Sequence, residues 1–533
     1  MKKTLLILVI LLSCFSSCSI DEDNRSFADP DVEYLTNQGF EALINANYSQ
    51  LREIYGNDPW LFCAGTDLYA AGRTSEPEGL SRYTQLNPAS EGVDYLYNKC
   101  YAAIQKANMA LYYSTITAPA STLNNRIGEV KYLRANAYFL LVQTYGGVSL
   151  VQNYSKTPQM YFERNTAAEI YDFIITDLLD SQNLVSTAAY NGRVNKRAVQ
   201  ELLAKVYLTR GYESFASSTD FANAATYADL AINNQALSIT PANLWKPGND
   251  MNAEVIFSVQ YATGSVSASP QTLGNKQGSY FGPYQGGADV AGKAPFRTYN
   301  LCPTQFAISL YTQADLRWKS TFMDICYTKY YDFYLPVNPS NVFHFYAPQW
   351  ITPAQKAAFL AANPSLLPAN YHDYGTYGAR VVSLDYATIP VRKFDDPTAP
   401  YGAKTSTRDI VLSRLGETYL IAAEAYLKKG DLATGLTRLN AVRARAGVPN
   451  ATAAEFNIDY ILDESARETL GEYHRWFDLK RTGKLVERAS LYNYLIQPSN
   501  FNGNNGQLKI LRPIPQSALD LNLNKNFPQN PAY

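Results

Sequence analysis

Three carboxylates, Glu464, Glu468 and Glu472, recur at four-residue steps near the C-terminus. On a helix that spacing puts them on one face. Glycoside hydrolysis needs two carboxyl groups roughly 5 to 10 Å apart, on opposite sides of the scissile bond. Carboxylates one turn apart satisfy the distance but point the same way, so they do not flank a sugar ring. Arg467, Arg475 and Arg481 lie close by in sequence, which favours a salt-bridged scaffold over catalysis. No G-x-S-x-G, Walker A or dinucleotide fingerprint occurs. Neither a catalytic residue nor a cofactor is assigned.

Metal chemistry finds little support. The chain has three histidines, His344, His372 and His474, with no H-E-x-x-H and no C-x-x-C, so a zinc site is not expected. No Asp/Asn spacing matches an EF-hand loop. Cys63, Cys100, Cys302 and Cys326 fit disulfides or buried thiols equally well by spacing.

Aromatic chemistry is better served. Tyr, Phe and Trp number 42, 23 and 5, or 13% of the 533 residues. A pyranose offers a face of C–H groups, which an aromatic ring covers by dispersion and electrostatic attraction. Polar neighbours then fix orientation through hydrogen bonds. Two stretches combine such rings with polar groups. One holds Trp60, Asp67, Tyr69 and Arg73, in a loop between early helices. The other holds Tyr280, Tyr284, Tyr299 and Trp318 among glycines and prolines. Against each stands the plainer role of core packing, to which aromatics contribute heavily. Tyr330, Tyr331 and Tyr334 read as strand packing.

These residues need a scaffold. Most of residues 30–235 and 407–490 read as amphipathic helix. From Val411 to Leu427 the apolar residues Val411, Leu415, Tyr419, Ala422, Ala423 and Tyr426 recur at three- and four-residue steps, the stripe of a helix buried on one side. Gly430 ends it and Asp431 is placed to cap the next. Ala204 to Gly211 aligns with Ala423 to Gly430, sharing Ala, Tyr, Leu and Gly at equal offsets. Arg134 to Gly146 reads as a further first helix. The pattern resembles tetratricopeptide helix pairs, irregularly spaced.

Between the helical regions, residues 241–405 carry 28 aromatics in 165 residues and one glutamate, Glu254. Scattered Gly and Pro predict turns and short strands there. Long loops of this kind are usually functional. The fold class expected is mainly α: a tetratricopeptide-like scaffold with a large irregular insert lobe. The boundaries expected are a signal peptide at 1–17, a flexible acidic tether at 18–29, scaffold at 30–240, the insert at 241–405, and scaffold again at 406–533. At 533 residues the chain exceeds the roughly 250 to 300 at which one core stops growing.

Charge is balanced, 46 Lys and Arg against 47 Asp and Glu, without the basic excess of a nucleic-acid binder. Lys2, Lys3 and an apolar run from Leu5 to Leu12 form a secretory signal. The run is shorter than the ~20 apolar residues of a spanning helix. It closes at Cys14 and Cys18. The Cys18 site is preferred because the acidic Asp21-Glu22-Asp23 follows. A signal ending at a cysteine resembles the bacterial lipoprotein pattern, which implies lipidation at Cys18 and anchoring without a spanning helix.

The segment from Ile461 to Gly483 resembles the signature of the SusD/RagB family. The matching positions are Glu464, Arg467, Glu468, Glu472, Arg475, Trp476, Asp478, Leu479, Arg481 and Gly483. Glu129 to Ala135, Tyr145 to Val151, Gly192 to Ala198, Arg512 to Pro515 and Gln529 to Tyr533 agree in order, with Ala532 where the family usually has Gly. The resemblance spans nearly the whole mature chain and is weakest in the insert. It implies a surface lipoprotein of the outer membrane that captures oligosaccharide, or in some members peptide, for a SusC-like TonB-dependent transporter beneath it. Starch-binding relatives place a stacking Trp in a loop near Trp60. Rival readings are a peptide binder on the same scaffold, a surface glycosidase, and a structural interaction module.

Overall fold

Alanine sets the helix pairing. In Lys196–Arg210 and Asp220–Ile232 the facing residues Ala198, Ala204, Ala224, Ala225, Ala228 and Ala231 are all buried, and side chains this small let two backbones approach. The ring pair Tyr207 and Tyr227 stacks beside them, 5.6 Å apart and nearly parallel. Leu123–Tyr145 with Ala167–Leu184, and Leu415–Lys429 with Leu432–Arg445, repeat the arrangement. Gly430 stops the last pair at a φ of +91°, where a Cβ is penalised. Asp431 then accepts a hydrogen bond from the Thr434 amide and caps the returning helix. These features belong to a computed structural model that describes residues 29–72, 78–262, 274–283, 292–335, 337–378 and 388–533. The proposed signal peptide, Cys18, Arg73 and Tyr284 lie outside the described residues.

The stripe read as helix from Val411 is in fact two elements. Ile410–Arg414 is a strand (β7), and the helix starts at Leu415. Strand β7 pairs antiparallel with β2 (Val255–Val259), and every residue of both is buried. A strand covered on both faces shows no alternation, so its apolar run merged with the helical stripe.

Within 241–405 the longest described helix is Pro353–Ala362. A small mixed sheet joins β4 (Ile325–Tyr327) antiparallel to β5 (Val342–Tyr346), which runs parallel to β6 (Tyr371–His372). Strand β1 (Tyr69–Ala70) pairs with β3 (Cys302–Pro303), so the early loop and the insert meet. The tyrosine run expected to be a strand is a 3₁₀ helix, Tyr330–Tyr334. Asp332 turns it by accepting the Ser340 amide at 2.8 Å. That winding splits the rings: Tyr330 is buried, while Tyr331, Phe333 and Tyr334 are half-buried.

The signature segment also divides. One helix covers Ile458–Glu468 and another Arg475–Arg481. Gly471, at a φ of +82°, lies in the turn between them, and a Cβ there would collide with the Phe394 ring. Glu472 is therefore off the helix that carries Glu464 and Glu468. Among the described residues Cys63, Cys100, Cys302 and Cys326 are all buried, Cys63 and Cys100 as free thiols. Among the described residues no helix is long and apolar enough to cross a membrane.

Candidate functional site

The glutamates of the signature segment are held by cations. Glu464 meets Arg317 and Arg443 at 2.7 Å each, and Arg467 at 2.7 Å. Glu468 pairs with Arg317, Arg414 and Arg445. Glu472 pairs with Lys393 at 2.6 Å and Arg414 at 2.7 Å. Burial alone would raise these carboxyl groups. The surrounding guanidinium and ammonium groups outweigh it, holding Glu464 and Glu472 at about 2 and Glu468 well below its usual value. A general acid needs the opposite, a proton held near neutral pH. The trio is scaffold. Arg475 and Arg481, expected to serve it, go elsewhere: Arg475 binds Asp67, and Arg481 binds Glu424 and Asp478.

The ligand residues expected from the sequence are mostly interior. Asp67 is fully buried between Arg475 and Arg488. Tyr69 is buried, and its hydroxyl accepts a hydrogen bond from the Gly471 amide. Tyr299 is buried at a φ of +65° beside Ala70 and Cys302. Trp318 is buried against Phe322 and Trp350, and its indole N–H donates to Asp324 at 2.9 Å. Trp60 is 5% exposed, its ring lying where a Gly92 side chain would be. None of these five can offer a ring face or a free carboxylate to a ligand as placed. Their neighbours in the fold already consume the polar atoms and cover the rings. Tyr280 is half-buried and comes together with Trp60 and with Asp58, which accepts from its hydroxyl at 3.3 Å. Burial first, and Asp58 after it, push that phenol up.

A different group of insert residues forms a candidate site. Tyr331 and Tyr401 stack at 5.2 Å and 16°, both partly exposed. Phe296 lies beside them with the Lys404 ammonium 5.2 Å over its ring. Tyr331 and Phe296 edge a shallow cleft enclosing about 30 Å³, whose lining includes Gly278, Arg297, Asp395, Asp396 and Ser406, and Tyr401 stacks on Tyr331 beside it. Asp395 accepts from Arg297 at 2.5 Å and from the Tyr334 hydroxyl at 2.8 Å. Asp396 accepts from Ser406 at 2.9 Å. The Arg297 Nε–H has no hydrogen-bond partner among the described residues. The backbone explains the close floor: a side chain on Gly278 would press within 2.8 Å of the Phe394 carbonyl. The short helix Gln277–Tyr280 turns Gly278 and Ser279 to the cleft and leaves Tyr280 on the Asp58 side. Rings beside a preformed polar floor are the chemistry expected for sugar capture.

Sequence reasoning missed Tyr331, Tyr401, Phe296 and Lys404. The tyrosine run was visible but read as strand, and nothing local links residue 401 to residue 331.

Two family models match, one described as SusD family over residues 253–533 and one as "Starch-binding associating with outer membrane" over 28–208. The chain belongs to the SusD family. Among curated SusD relatives, SusD-like protein P2 of Formosa agariphila is 24% identical across the full length of both chains. The starch-binding protein SusD of Bacteroides thetaiotaomicron is 25% identical over 84% of this chain and 80% of its own. A laminarin-binding SusD-like protein has the same fold, with a TM-score of 0.71 over 93% of this chain and all of that one, at 22% identity. So does surface glycan-binding protein A of B. thetaiotaomicron in complex with laminarihexaose, with a TM-score of 0.67 over 93% and 100%, at 18% identity.

Proposed function

We propose that this SusD-family chain captures an oligosaccharide at the cleft edged by Tyr331, beside the Tyr331–Tyr401 stack, without cleaving it. It then passes the ligand to a partner TonB-dependent transporter at the outer membrane, tethered there through a lipid on Cys18. The observation that carries the reading is the partly exposed stacked pair beside the Arg297–Asp395 floor. Relatives named for starch and laminarin binding support the ligand class. The clamped state of Glu464, Glu468 and Glu472 supports binding over hydrolysis.

Titration against a panel of neutral oligosaccharides tests it, with reducing ends measured in the same mixtures. At least one oligosaccharide binds, and no new reducing ends form. Binding of peptides alone overturns the ligand class, and release of reducing ends overturns the non-catalytic role. Co-expression with a SusC-like TonB-dependent transporter tests the partner: the two proteins co-purify, and a Cys18→Ala chain is recovered without acyl chains.

A further inference from the structure

A cavity larger than the insert-lobe cleft lies elsewhere in the described residues. It lies on the helical scaffold, where Val93–Tyr113, residues 149–162 and the C-terminal helix Gln516–Leu521 meet, and it encloses about 320 Å³. Small-molecule sites commonly fall at roughly 300 to 1,000 Å³. Its walls are Tyr97, Tyr101, Ile104, Met160, Phe162 and Phe527, and no charged residue lines it.

The polar atoms near those walls are already engaged. The Tyr101 hydroxyl donates to the Ser149 carbonyl at 2.8 Å, and the Tyr97 and Tyr101 rings pack 4.8 Å apart. The Asn522 amide spans the Phe162 backbone, accepting from its N–H and donating to its carbonyl at 3.0 Å each. A sugar buried here would strand its hydroxyls, and a charged group would find no counter-charge. The mouth differs. Asn98, Gln105 and Gln159 are exposed there, and their side-chain amides make no hydrogen bond among the described residues. Beside them Met160 and Leu521 are 45% and 68% exposed.

We propose that this cavity is a second binding site, separate from the insert-lobe cleft, for a neutral amphiphile. The apolar ring or chain fills the Tyr97–Phe527 cavity, and a hydroxylated head sits among the three amides at the mouth. The proposal does not depend on what the insert lobe binds.

Octyl β-D-glucoside, kept below its micelle-forming concentration, is the probe, with D-glucose as the head alone. Calorimetric titration of the full soluble chain shows saturable one-to-one binding of the glucoside and none of glucose. Leu521→Asp, at an exposed rim position, weakens glucoside binding at least fivefold. Ala518→Trp, which fills the cavity, abolishes it. Tyr401→Ala, in the other lobe, leaves it unchanged. Failure of the glucoside to bind, equal binding of glucose, or loss in Tyr401→Ala but not Leu521→Asp overturns the proposal, the last while leaving insert-lobe capture standing. So does a result in which the glucoside fails and Leu521→Asp instead detaches the co-expressed transporter, because the face is then a protein contact.

Discussion

Arg475 and Asp67, 408 residues apart in sequence, form a buried two-pronged ion pair, with Nε to Oδ1 at 2.8 Å and Nη2 to Oδ2 at 2.5 Å. Arg488 reaches the same carboxylate at 3.2 Å. Burial alone would raise Asp67, but the two guanidinium groups hold its carboxyl below the ordinary value. A loop residue placed to meet ligand is instead a clamp between the early loop and the signature segment.

Asp67→Asn leaves two buried guanidinium groups without their shared carboxylate. Breaking a buried pair from one side costs about 3–5 kcal/mol. Denaturant unfolding at neutral pH should show a loss of that size. Oligosaccharide affinity at pH 7 should stay within twofold as long as the variant is folded. A variant of native stability would mean the pair is not formed in solution.

The aromatic substitutions separate cleft from core. Tyr401→Ala removes one ring of the stacked pair and should weaken oligosaccharide binding about 5- to 30-fold, equivalent to about 1–2 kcal/mol. Trp318→Ala should lower stability by about 3–5 kcal/mol through the cavity it leaves, with affinity unchanged. Calorimetric titration and thermal melts of the same two variants read both quantities. The reverse pattern would move the site back to Trp318.

Gly471 links scaffold and site. Gly471→Ala forces a side chain into a positive-φ residue and against Phe394, which lines the cleft. The backbone conformation alone costs about 1–2 kcal/mol, and the collision adds to it. Both stability and oligosaccharide affinity should fall, whereas Gly483→Ala, also at positive φ but in open space, should cost stability only. Equal effects of the two on affinity would disprove the link.

A buried ionic group predicts a pH signature. Lys205 lies 2.9 Å from Glu201 and 2.8 Å from Glu417, and His474 lies 3.1 Å from Glu417. Burial raises Glu417 to about 7 despite Lys205, and burial lowers His474 to about 4. Ordinary values are about 4.3 and 6.5. Between pH 4.3 and 7 the folded chain therefore holds an extra proton at Glu417, and this contribution to stability declines as pH rises. His474 does the opposite between about 4 and 6.5, because there the unfolded chain is the more protonated. Glu417→Gln removes only the first effect. Relative to the native chain, the variant should gain about 2 kcal/mol in unfolding free energy between pH 5 and pH 7. A flat or falling difference would place the Glu417 proton elsewhere.

Helix pairing was legible in the sequence because it is local: Ala204 to Gly211 and Ala423 to Gly430 carry their own spacing, stop and cap. The family was legible for the same reason, since its motif residues cluster between Glu464 and Gly483. The site was not. Whether a ring packs or faces solvent depends on neighbours hundreds of residues away, as Asp67 with Arg475 and Tyr69 with Gly471 demonstrate. Tyr331 lines the cleft from a run that winds as a 3₁₀ turn, and Tyr401, 70 residues on, stacks on Tyr331.

The C-terminal tail has a consequence for how the chain is made. Asn530 donates to the carbonyls of Tyr145 and Arg512, the Arg512 amide donates to Thr144, and the Tyr533 hydroxyl donates to Leu511. Synthesis runs from the N-terminus, so the helix ending at Tyr145 emerges long before the strap that closes it. Such distant closure slows folding. A nascent chain that stops at residue 503 should still be cut readily by protease near residue 145, and only a chain that includes residues 504–533 should resist.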